Sequence, residues 1–159
     1  MKIREDSRLK SLTGRRVVLL GVGRPGRGDD AAGDELARRL RAKGCAGAIP
    51  AAAVPENHLG TVLALRPEVV LVADAAEMGK GPGGWALLQP GEIFAGSIST
   101  HNAPLSLLLD YLAKEGKARC YLLGVQAQRR REGEGMSPEV ERAVEDLADL
   151  LAPLVARTY

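Results

Sequence analysis

Aromatic residues are scarce, at 3% of the chain, too few for a platform on which successive bases of a single strand could stack. Cysteine is limited to Cys45 and Cys120, far apart, which fits neither a disulfide framework nor a paired-thiolate metal site. Histidine is limited to His58 and His101, with no HExxH spacing, so the usual zinc-protease helix is missing. Long apolar runs are missing too: stretches such as VVLVA at residues 69–73 fall far below the roughly 20 residues that span a bilayer. The opening MKIREDSRLK carries no apolar signal region, so a cytoplasmic protein without membrane association is expected. An excess of charge of one sign is also lacking. Twenty-two Lys and Arg against 20 Asp and Glu leave a net charge of +2, a weak case for nucleic acid as a partner.

What is present is an ordinary globular composition, 45% hydrophobic and 26% charged over 159 residues. One domain over 1–159, with its core at about 16–156, is expected. Apolar runs alternate with amphipathic stretches. Residues 16–24 and 68–74 read as buried parallel strands, 118–125 as another, and 46–54 and 85–89 as weaker ones. Helices are expected over 30–43, ended by Gly44, and over 58–66, stopped by Pro67. A third is expected from about Asn102 with Pro104 in its first turn, and a last one from Ser137 to about residue 156. The alternation predicts an α/β fold, a three-layer αβα sandwich around a mostly parallel twisted sheet of about five strands.

Chemistry concentrates in a few places. Residues 21–33, GVGRPGRGDDAAG, connect a strand to a helix, and Gly21, Gly23 and Gly26 spell GxGxxG. A nucleotide-binding module built on this loop is one reading. Asp29 and Asp30 crowd the helix start where a pyrophosphate would sit, and no Gly-Lys-Ser/Thr ending makes a P-loop. The plainer reading is a pair of capping carboxylates. Asp74 closes the VVLVAD strand, and a turn cap is its plainer reading. His101 stands before a helix, where most histidines are surface or cap residues, and His58 competes with it.

Convergence changes these weights. Loops leaving a parallel sheet at the carboxyl ends of its strands share one edge, where ligands bind in such folds. Asp30, Asp74 and His101 are all expected at that edge. Two carboxylates and one imidazole suit a divalent transition metal such as nickel, zinc or iron, and three ligands leave positions open for substrate or water.

Five blocks carry a resemblance. GVGRPGRGDDAAG (21–33), the triplet Pro55, Glu56 and Asn57, VLVADAAEMG (70–79), STHNAPLSLLLDYL (99–112) and LGVQAQ (123–128) with GEGMSPEVERAV (133–144) stand in order. Together they resemble the maturation endopeptidases of nickel-iron hydrogenases, most of all the branch that processes the large subunit of formate-hydrogenlyase-type enzymes. The resemblance runs from about Val17 to Leu151. It implies an aspartic or metal-dependent endopeptidase that removes a carboxy-terminal extension from a nickel-loaded hydrogenase large-subunit precursor. It also implies that Asp30, Asp74 and His101 contact nickel carried by that substrate, with no tightly bound metal of the enzyme's own and a monomeric enzyme. The family usually has asparagine at Arg24 and glycine at Ala31. Arg24 is expected to alter the cleft floor or the precursor preference, and Ala31 to be harmless if its backbone is helical. A catalytically dead adaptor that grips the precursor without cutting it is the other rival.

Overall fold

The computed structural model describes residues 7–94, 98–100 and 105–157. The apolar run VVLLG forms β1 (Val17–Gly21), with all five residues buried. β3 (Val69–Glu77) is buried through Ala76. Strands enclosed on both faces need continuous apolar sequence, as these have. β2 (Ala48–Pro50), β4 (Trp85–Leu88), β5 (Ser99–Thr100) and β6 (Arg119–Gln126) complete a six-stranded sheet. The order is β2-β1-β3-β6-β4, with β5 attached to the end of β3. β2, β1, β3 and β6 are parallel, while β4 and β5 pair antiparallel with β6 and β3. The expected mostly parallel sheet is present, with one strand more than the sequence suggests.

Side chains alternate between two apolar layers. Val17, Leu19, Leu71, Tyr121 and Leu123 meet Leu36 and Leu40 of α2 (Ala32–Ala42) and Val144 and Leu147 of α6 (Pro138–Leu151). Val18, Leu20, Val70, Val72 and Leu122 meet Val62 of α3 (Leu59–Ala64) and Leu109 and Leu112 of α5 (Leu105–Gly116). Helices thus cover both faces, which is the αβα sandwich. Among the described residues no helix is long and apolar enough to cross a membrane.

The boundaries differ from the sequence reading in instructive ways. The helices expected over 30–43 and 58–66 each follow a 3₁₀ turn, Gly28–Ala31 and Pro55–His58, and both turns precede the regular helix. α6 stops at Leu151, two residues before Pro153, and Val155 then bridges back to Val17. α1 (Ser7–Lys10) and α4 (Pro90–Phe94) were not signalled by periodicity; α1 is polar except for buried Leu9. Asn102 and Pro104, expected at the start of α5, lie outside the described residues.

Candidate active site

The sheet reverses its winding between β1 and β3, since β2 lies on the far side of β1 and β6 on the far side of β3. Chains leaving those two carboxyl ends diverge to opposite faces and leave a crevice between them. α2 follows β1 on one face, and α5 covers the other.

Asp74 lies within this crevice, but inside a strand and not at its end. β1 stops at Gly21 opposite Ala73, so Asp74 is the first residue of β3 beyond its β1 neighbour. On its other side the ladder continues through Asp74–Gly124 to Ala76–Gln126. A polar residue closing an apolar run reads as a strand end, although the backbone pairing runs three residues further. Asp74 is wholly buried, and alternation puts it on the face of Val70 and Val72, the face that α5 covers.

Asp30 sits in the 3₁₀ turn after β1, which contacts β3. Gly33 makes that approach possible. A Cβ there would collide with the carbonyl oxygens of Ala73 and Val22, so only glycine lets the start of α2 lie on the strand end. Asp30 is 5% exposed. Arg130 Nε approaches its Oδ1 to 3.0 Å, and Arg27 Nε lies 3.8 Å from Oδ2. The Arg130 contact is close but poorly aligned, leaving both Asp30 Oδ1 and Arg130 Nε buried without a hydrogen bond.

Its neighbour Asp29 is wholly committed to the fold. Asp29 Oδ2 accepts from the Gln128 and Arg129 amides at 2.8 and 2.9 Å, and Oδ1 from the Ser137 amide at 2.6 Å. The Ser137 hydroxyl donates to the same carboxylate. Ser137 is therefore at the N-cap position with Pro138 after it, as expected, but its hydroxyl serves Asp29 and not its own helix. Asp34 is similarly occupied, accepting from the Ala52 amide at 2.8 Å and from Arg38 at 2.7 Å.

The segment after β6 contributes residues that the sequence did not single out. Arg130 also donates to Glu77 at the end of β3. Gln126 Nε2 donates to the other Glu77 oxygen at 2.8 Å, while its Oε1 accepts from the Met78 amide at 2.7 Å. In a run such as QRRREGEG no spacing distinguishes one arginine from its neighbours. Gln126 was visible only inside the LGVQAQ block.

His101 lies outside the described residues. Its preceding neighbour Thr100 pairs with Ala76, two residues along β3 from Asp74. Among the described residues no group of three or more His, Cys, Asp or Glu side chains is arranged to hold a metal ion. His58 ends a 3₁₀ turn after β2.

Both thiols are buried, and each donates to a carbonyl, Cys45 to Ala152 and Cys120 to Ala118. Burial pushes both thiols up, Cys120 to about 11, so neither is a ready thiolate nucleophile.

The glycine-rich loop is equally unsuited to cradle a phosphate. The amides of Val22, Gly23, Arg24, Arg27, Gly28, Asp29 and Asp30 all donate to protein carbonyls. A phosphate cradle needs such amides turned outward. Ala31 has φ −80° and ψ −10°, a right-handed helical backbone that alanine adopts without strain.

Among the described residues the molecule is an open α/β sheet with buried carboxylates at its winding reversal, the place where proteins of this fold class bind ligands, and a glycine-rich loop whose amides at Val22, Gly23, Arg24 and from Arg27 to Asp30 point inward. Comparison with known proteins makes that class specific. The hydrogenase maturation protease family profile matches residues 31–153, a span that includes Asp74 and His101 and begins one residue after Asp30. The chain is 39% identical over 112 residues to the hydrogenase 3 maturation protease of Escherichia coli K12, covering 69% of this chain and 71% of that one. It is 30% identical over 123 residues to a putative hydrogenase maturation protease of Methanocaldococcus jannaschii, covering 70% and 72%. Its fold matches the crystal structure of the HycI hydrogenase maturation protease of Thermococcus kodakarensis with a TM-score of 0.83, at 27% identity over 94% of this chain and 98% of that one. The chain belongs to the hydrogenase maturation protease family and is an endopeptidase.

Proposed function

We propose that this endopeptidase removes the carboxy-terminal extension of a nickel-iron hydrogenase large-subunit precursor after nickel insertion, and that nickel in the substrate is what it recognises. Asp30, Asp74 and His101 contact that nickel in this reading. The observation that carries it is Asp74, a wholly buried carboxylate placed where β1 has ended and β3 continues. Carboxylate oxygens are suitable ligands for a divalent transition metal, and a metal centre brought into the crevice meets Asp74 at this point. The fold absorbs Asp29 and Asp34 in hydrogen bonds, whereas Asp30 Oδ1 makes none. The enzyme acts as a cytoplasmic monomer and holds no tightly bound metal of its own.

In the reaction a water oxygen adds to the scissile carbonyl carbon, the peptide C–N bond breaks, and the leaving amine takes a proton. Substrate nickel acidifies that water or polarises the carbonyl, or a site carboxylate takes the proton as general base. The chain's own part is to hold the nickel so that the scissile bond lies beside it.

The test is cleavage of nickel-loaded precursor by four variants. Asp30→Asn, Asp74→Asn and His101→Ala are each expected to lose at least about a hundredfold in rate, the scale of a lost general base or metal contact. His58→Ala is expected to cleave normally. Normal cleavage by His101→Ala together with failure of His58→Ala would move the site to the loop after β2.

A further inference from the structure

Among the described residues Arg130 is the cation nearest to Asp30, and it does not belong to the ligand set. Its guanidinium spans from Asp30 Oδ1 to Glu77 Oε1, so it links the turn after β1 to the end of β3. Arg27 flanks the second oxygen of Asp30 at 3.8 Å. Both faces of the Asp30 carboxylate therefore meet positive charge before any substrate arrives. The loop that carries Arg130 is fixed in place: Asp29 accepts from the Gln128 and Arg129 amides, and the Gly28 and Asp29 amides donate to Glu134 and Arg129 carbonyls. Yet the 3.0 Å contact lacks hydrogen-bond alignment, and Oδ1 and Nε are each buried without a hydrogen bond. Buried orphans of this kind call for an explanation. A ligand that offers positive charge to Oδ1 and an acceptor to Nε would satisfy both.

We infer that Arg130 is a specificity-determining residue that bars free divalent cations from Asp30 and admits nickel only when it arrives bound to anionic protein ligands. This rests on the reading in which Asp30 contacts substrate nickel. A free dication entering beside Asp30 meets a guanidinium at close range and must displace it, at a cost set by like-charge repulsion in a poorly solvated crevice. Nickel already held by anionic side chains carries less net charge, and those ligands accept hydrogen bonds from Arg130. The same arginine thus opposes the free ion and welcomes the loaded precursor.

Calorimetric titration with nickel chloride, in the absence of precursor, tests this. Arg130→Met is expected to bind free nickel about tenfold or more tighter than the wild type, the effect of deleting one adjacent like charge. Arg130→Met combined with Asp30→Asn is expected to lose that gain. Unchanged nickel affinity in a folded Arg130→Met protein overturns the proposal, as does a gain that survives the Asp30 change. If Arg130→Met does not fold, Arg130→Gln is read the same way, and failure of both to fold makes the arginine a structural tie and overturns the proposal. Loss of cleavage in Asp30→Asn with no nickel gain in Arg130→Met sinks this inference alone. Normal cleavage by Asp30→Asn sinks the underlying reading instead.

Discussion

Asp29 and Asp30 are adjacent in sequence and identical in chemistry, yet the fold treats them differently. Asp29 accepts from three amides and a hydroxyl, tying the glycine-rich block to the loop and helix after β6. Asparagine there would keep one acceptor and turn an NH₂ group toward amide donors. Asp29→Asn is therefore expected to lose about 2–3 kcal/mol of stability in urea unfolding, since buried bonds to a charged group are among the stronger ones. Asp30→Asn breaks no hydrogen bond to Oδ1, and Arg130 keeps its bond to Glu77, so it is expected to cost less than Asp29→Asn. Equal destabilisation by the two would mean that Asp30 is also a structural group. The sequence could not separate them, because capping carboxylates and site carboxylates look alike until their partners, here Gln128, Arg129 and Ser137, are known. Those partners lie a hundred residues away and are joined by hydrogen bonds that no local pattern encodes.

At the scale of elements, the parallel strands were legible because enclosure on both faces demands continuous apolar sequence, as in VVLLG and VVLVA. β5 was not legible. Ser99 and Thr100 carry no apolar pattern and owe their strand conformation to pairing with Glu77 and Ala76. The true end of β3 was hidden for the same reason, since Asp74 breaks the apolar run while the ladder to β6 goes on. The contact between the glycine-rich turn and β3 depends on Gly33. Gly33→Ala would force a methyl into two carbonyl oxygens and push the Asp30 turn off the strand. Its expected cost is about 3 kcal/mol, at the upper end of overpacking effects, with cleavage falling even where the protein remains folded. A melting temperature and cleavage rate equal to wild type would show that the turn does not need this close approach.

At the scale of the whole molecule, topology assembles the candidate site from segments remote in sequence. The winding reversal between β1 and β3 brings the Asp30 turn against the strand that carries Asp74. This much followed from alternating strands and helices, because carboxyl-edge loops converge in any parallel sheet. Arg130 did not follow, because its position depends on how the β6–α6 loop folds back over the glycine-rich block. His101 is proposed from its expected place at the same sheet edge and from its sequence block.

The central claim is that nickel in the precursor licenses the cut. Incubation of the protein with a nickel-iron hydrogenase large-subunit precursor, loaded or unloaded with nickel, followed by mass spectrometry of the large subunit, tests it most directly. The account predicts loss of a carboxy-terminal fragment from the loaded precursor and an intact mass for the unloaded one. Cleavage of both forms alike, or stable binding of the loaded form without any cleavage, would contradict it.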